Sequence, residues 1–222
     1  MLHLLSVENI AFTVLGYPMS YIEFVGTILY LWSVWLIAKR RVLTWPVGIV
    51  SVLLYMALFY QIRLYSDTFE QLYYIVACIY GWRRWADSPQ KDGQILDVRF
   101  STAKGIILAV CITIVLSILD GWFMSRVHLL FPNWFPEPAS FPYLDALTTF
   151  MSFTAMWLMA IKRIESWLYW IIVDIIGIGL YFTKGVLFVT LLYVILLFMA
   201  ANGFLSWLRT AAPRTKYAAF SP

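Results

Sequence analysis

The stretch SWLYWIIVDIIGI, which begins at Ser166, puts the carboxylate of Asp174 near the middle of an apolar run. An acid at the centre of a membrane helix costs about 2.5–3.5 kcal/mol on insertion scales, so such groups usually face a cavity and mark a path for polar or charged solutes. Trp167, Trp170, Asp174 and Tyr181 fall at i, i+3, i+7 and i+14 and therefore share one helical stripe. Indole and phenol rings suit a flat cation, while a carboxylate accepts from hydroxyls or faces positive charge. The competing reading is structural: the tryptophans anchor at the membrane edge and Asp174 accepts a hydrogen bond from a neighbouring helix.

Two earlier segments carry related patterns. Trp45, Gly48, Val52, Tyr55 and Phe59 form a less polar stripe of the same kind, with Gly48 standing where a ring or a closely packed helix needs room. Asp67, Gln71, Tyr74 and Cys78 line another, and Gln71 offers both an amide donor and an acceptor to a carboxamide or a sugar hydroxyl. Asp67 and Glu70 lie near a membrane edge, where hydration accounts for their charge, and Glu23 and Asp145 begin their helices, where carboxylates complement the dipole. Asn202, near the end of the last apolar segment, serves either a ligand or an interhelical hydrogen bond.

Several chemistries are excluded by what the chain lacks. His3 and His128 lie outside the apolar runs, and Cys78 and Cys111 show no paired spacing, so no haem, zinc site or disulfide framework is expected and no cofactor is assigned. No phosphate-binding glycine loop is present, so the chain itself does not hydrolyse a nucleotide. Downhill, facilitated movement is the simplest mechanism, and catalysis is not expected.

The elements that must position these residues are apolar helices. Of the 222 residues 62% are hydrophobic and 13% charged, and the mean hydropathy of +0.79 marks an integral membrane protein. Seven segments, at roughly 21–38, 45–62, 68–85, 103–124, 142–160, 166–183 and 187–207, are long enough to cross a bilayer. Residues 1–20 are expected to lie on the membrane surface as a short amphipathic helix, and 209–222 to form a loose cytoplasmic tail. Assigning lysines and arginines to alternate sides leaves only Arg63, Arg126 and Lys184 on one of them. The N-terminus is then outside and the C-terminus cytoplasmic; the net charge of +4 reflects this topology rather than nucleic-acid binding.

A shift of 122 residues aligns Glu23 with Asp145, Trp35 with Trp157, Trp45 with Trp167, Phe59 with Tyr181, Gly81 with Gly203 and Trp85 with Trp207, without a gap. Four spans separate the matched helices, so both three-helix units (21–86 and 142–208) have the same orientation, and the fourth helix, within 87–141, acts as an inversion linker. The expected fold is all-α, with seven membrane helices in a 3+1+3 parallel-repeat arrangement and a site near the midplane between the units.

The W-x-x-G element at Trp45, D-x-x-x-Q-x-x-Y at Asp67, G-W-x-x-W at Gly81 and W-x-x-W-x-x-x-D at Trp167 together resemble the PnuC family of bacterial nicotinamide riboside transporters, over nearly all of 23–207. The resemblance implies a fold similar to the SWEET sugar transporters in the bacterial inner membrane. It further implies import of nicotinamide riboside, a precursor of NAD, without evident ion coupling, and trapping by a separate cytoplasmic kinase. The ligand has a flat cationic ring, a carboxamide and ribose hydroxyls. The residues expected to meet it are Trp45, Gln71, Tyr74, Trp167, Trp170, Asp174, Tyr181 and Asn202. A facilitator of another vitamin, such as thiamine, or of a small sugar is the alternative on the same scaffold; a membrane subunit whose aromatics only pack is a third. A homotrimer and a monomer are both compatible with the sequence.

Overall fold

A computed structural model describes residues 6–14, 16–63, 65–87, 97–132 and 137–218. Seven long helices dominate: α1 (Tyr21–Ala38), α2 (Thr44–Gln61), α3 (Tyr65–Ala86), α4 (Ala103–Met124), α6 (Pro142–Ala160), α7 (Ser166–Thr183) and α8 (Leu187–Ala218), with a single turn, α5 (Val127–Leu130), between α4 and α6. The starts of α1 and α4 follow from their caps: Ser20 and Thr102 accept from the backbone N–H groups of Glu23 and Gly105. The last helix continues to Ala218 instead of ending near 207. His3 and residues 88–96 of the charged connection lie outside the described residues.

Five helices, α1, α2, α4, α7 and the Leu187–Ala211 part of α8, are long and apolar enough to cross a membrane. Among the described residues, α3 and α6 match them in length but not in apolarity, so five rather than seven segments meet that criterion. The reason is position. These two helices pack against each other and carry Asp67, Glu70 and Gln71, and Thr149 and Ser152, into the interior.

The N-terminal segment departs from the expected surface helix. Ile10–Val14 (β1) and Tyr17–Ser20 (β2) form an antiparallel hairpin, with Val14 opposite Tyr17 and Gly16 at φ +81° in the turn. A run of β-branched and aromatic residues followed by a glycine that accepts positive φ favours two strands over a helix. Tyr17 stacks on Phe188 at the start of α8 (5.2 Å) and donates to Glu23 Oε1 (2.8 Å), while the Val7 N–H donates to Gln61 Oε1 at the end of α2. The hairpin and the residues just before it thus bridge three helices, and burial pushes the Tyr17 phenol pKa up, with the Glu23 carboxylate adding to it.

The 122-residue relation reappears in the coordinates. Shifting α2 by that amount gives the bounds of α7, and α1 falls on α6 within a residue. Contacts between the groups obey the same operation, since α1 packs on α8 as α6 packs on α3. Even the strained helix ends match: Arg40 and Lys162 (φ 56° and 62°) follow α1 and α6, and Arg63 and Gly185 (φ 62° and 72°) follow α2 and α7. Helix α4 packs mainly on α6, where Thr113 and Thr154 hydroxyls meet at 2.6 Å.

The best-buried cluster lies where α3 and α8 approach α1 and α6. Trp45, Trp85, Trp167 and Trp207 are at most 1% exposed, and their rings run Trp45–Trp85 (5.2 Å), Trp85–Trp207 (6.1 Å), Trp207–Trp167 (5.5 Å). Glycine makes the fit possible. A Cβ on Gly81 would come within 2.6 Å of Trp45 Cζ2, and one on Gly203 within 2.6 Å of Trp167 Cζ2. Trp85 Nε1 donates to Ala160 O (3.0 Å) and Trp207 Nε1 to Ile37 O (3.2 Å), so each three-helix group is bonded to the other.

Candidate functional site

Asp174 is the deepest acid of the interior, 3% exposed on α7. The phenols of Tyr30 on α1 and Tyr193 on α8 lie within its electrostatic reach, and among the described residues no lysine or arginine neighbours it. A buried carboxylate without a cation is costly, and the cost falls when a positive ligand arrives. Phenols and carboxylates continue from there. Tyr30 meets Tyr55 edge to face at 6.5 Å, Tyr55 stacks on Phe59, and the Tyr55 and Thr27 hydroxyls share a hydrogen bond of 2.7 Å.

On the opposite wall Tyr74 exchanges a hydrogen bond with Ser152 and lies near Glu70 and Tyr30. Thr149 Oγ1 donates to Glu70 Oε1 at 3.1 Å, and Asp67 and Asp120 stand close to Glu70. Tyr181 and Tyr193 stack at 5.4 Å with an 18° tilt, and Asp67, Glu70 and Asp145 face Tyr181. The result is one interior network of polar and aromatic side chains: acids toward the end where α3 and α6 begin, phenol rings beside them, and Asp174 deeper in. All six helices of the two groups contribute, and Asp120 of α4 stands beside Glu70.

Of the residues expected from sequence, Gln71, Tyr74, Asp174 and Tyr181 come together here. Gln71 is 8% exposed and its Nε2 donates to Asp67 O within its own helix at 3.3 Å, which leaves the amide oxygen for another partner. Trp170 stands one turn before Asp174, half-buried against the tryptophan cluster. Trp45 and Trp167 are corrected: both rings are sealed in that cluster over Gly81 and Gly203 and stand apart from this network. Asn202 is corrected too. It is exposed on the outside of α8, where its Nδ2 donates to Phe198 O of its own helix.

Tyr30, Thr149, Ser152 and Tyr193 belong to this network and were not singled out from sequence, while Tyr55 and Glu70 were noted there without being assigned to a ligand. The repeat offered a signal for most of them. A shift of 122 residues takes Thr27 to Thr149, Tyr30 to Ser152, Tyr55 to Gly177 and Gln71 to Tyr193. Gly177 leaves space for the Tyr193 ring, whose Cε1 would sit 2.6 Å from a Cβ there.

Residues 20–209 match the family model described as nicotinamide mononucleotide transporter. The chain belongs to that family. It is 31% identical to the nicotinamide riboside transporter PnuC of Escherichia coli K12, with 90% of each chain covered, and 28% identical to the riboflavin/roseoflavin transporter RibM of Streptomyces davaonensis, with 89% of each covered. Its fold is similar to the crystal structure of the vitamin B3 transporter PnuC, with a TM-score of 0.64, 22% identity, and 85% of this chain and 81% of that one covered. Members of this family are membrane transporters, not enzymes, and the apolar helices agree with a multi-pass protein embedded in the bilayer.

Proposed function

We propose that this chain imports nicotinamide riboside by facilitated diffusion, binding its pyridinium and ribose in the chamber around Asp174. The observation that carries the reading is a buried carboxylate ringed by phenols and free of a neighbouring cation among the described residues, the complement of a small flat cation. The name borne by the Escherichia coli relative supports the same substrate. Seven membrane helices in a SWEET-like 3+1+3 arrangement, with α4 joining two parallel three-helix units, provide the alternating-access frame. The N-terminus lies outside and the C-terminus in the cytoplasm of a bacterial inner membrane, where a riboside kinase would trap the product.

The substrate is the riboside rather than its mononucleotide. A phosphate brought into a chamber holding Asp174, Glu70 and Asp67 meets like charge and leaves water without a basic partner, which opposes binding. Another vitamin on the same scaffold is a second reading favoured by the relative that carries riboflavin. Uptake of labelled riboside by liposomes containing the purified protein, with mononucleotide, riboflavin and thiamine as competitors, tests both. The proposal expects uptake that stops at equal concentrations without an ion gradient and is blocked only by unlabelled riboside. Equal competition by mononucleotide, or uptake seen only with riboflavin or thiamine, would overturn it.

A further inference from the structure

A groove of about 720 Å³ runs along the outside of the helices, apart from the chamber. Leu108, Ile112 and Leu116 of α4 form one side, one turn apart, and Phe153 and Trp157 of α6 form the other. Its far end is different. Arg99, Ser101, Thr102 and Arg163 close it at the start of α4.

The two arginines are held there by backbone. Residues before α4 pair with the α6–α7 connection as an isolated parallel bridge, Arg99 opposite Arg163, with Arg99 N–H donating to Lys162 O and Ile164 N–H to Arg99 O, both at 3.2 Å. Arg163 Nη1 donates to Phe100 O, while its buried Nε finds no partner. Arg163 faces both Arg99 and Arg84 and has Glu165 as its acidic neighbour, which already accepts the Ser101 N–H at 3.1 Å, while Asp87 and Asp97 lie in the adjoining pocket with Arg84 and Arg99. Like charges fixed side by side beside an apolar channel are unfavourable until an anion joins them.

We infer that this groove is a binding site for one anionic glycerophospholipid, with its phosphate on Arg99 and Arg163 and an acyl chain along Leu108, Ile112 and Leu116. The match is one of charge and length: cations at the end where α4 begins, then apolar side chains at membrane depth. The positive end of the α4 dipole, capped by Thr102, adds to the attraction for phosphate. A soluble phosphate would use only the arginine end, and a second copy of the chain would have no need of the paired cations.

The test is native mass spectrometry of the purified full chain in mild detergent, incubated with phosphatidylglycerol, phosphatidylcholine of the same acyl chains, or glycerol 3-phosphate. Two guanidinium groups at a phosphate predict a preference of about tenfold or more for phosphatidylglycerol over phosphatidylcholine. Arg99→Gln, at an exposed side chain whose backbone bonds stay in place, should bring the two lipids within about threefold of each other. Ile112→Trp, on the exposed face of α4, should fill the groove and remove the bound lipid with both arginines intact. The inference is overturned by equal retention of the two lipids, by unchanged selectivity in Arg99→Gln, or by retention of phosphatidylglycerol in Ile112→Trp. Saturation by glycerol 3-phosphate without any lipid adduct, or lipid-free oligomers that Ile112→Trp breaks into monomers, would overturn it equally.

Discussion

In the proposed site, Asp174 acts by being difficult to satisfy. Its neighbours Tyr30 and Tyr193 can each offer one hydroxyl but no positive charge, which suits the acid to a cationic ligand. Asp174→Asn should weaken riboside binding by about 10-fold or more, the loss expected for a charge-assisted contact, when read by calorimetry. The uncharged dihydro form of the same riboside should distinguish the two proteins far less; an equal loss for both would point to a damaged fold instead. A second residue prediction concerns backbone alone. Arg63 occupies the left-handed position that Gly185 fills in the matched place, and an L side chain there costs about 1–2 kcal/mol. Arg63→Gly should raise the thermal midpoint in detergent by a few degrees, and a lowered one would show that the side chain holds the helix end.

At the scale of elements, the same pattern explains what could be read in advance. Helix bounds were legible because continuous apolar runs ended in charged or glycine-bearing connections, and α7 was found within a residue or so. The burial of Asp174 was legible because an acid in such a run has few reasons to be there. Trp45 and Trp167 were not, since an indole on an inward stripe fits a ligand slot and a helix junction equally well. What separates the two is Gly81 and Gly203 on helices far along the chain, a pairing that only packing makes visible. The hairpin was missed because a short apolar run near a membrane suits either geometry, and its partners Gln61 and Phe188 lie on other elements. Gly81→Ala should therefore cost about 1–3 kcal/mol by overpacking against Trp45, and Gly203→Ala a similar amount against Trp167. Thermal unfolding would check both, and an unaffected midpoint in either would mean that the ring has room to move.

For the whole molecule, the two three-helix groups meet at α1–α8 and α3–α6, and the tryptophan cluster fastens one end of that junction. Two indole N–H bonds cross it, Trp85 to Ala160 and Trp207 to Ile37, each contributing about 0.5–1.5 kcal/mol. The proposed alternating access requires that end to part, so Trp207→Phe, which keeps a ring and removes the bond, should favour the form open there. Greater labelling of a cysteine placed at Ala160 in that variant is the expected result, and unchanged labelling would mean that the crossing bond sets no conformational balance.

Four large rings filling one end of the junction also bear on what the bilayer feels. A path for water or protons would have to thread between indoles that leave at most 1% of their surface uncovered. While that end stays closed, a planar bilayer loaded with the protein should therefore stay electrically silent, and a steady proton or ion current would show that the indoles do not seal it.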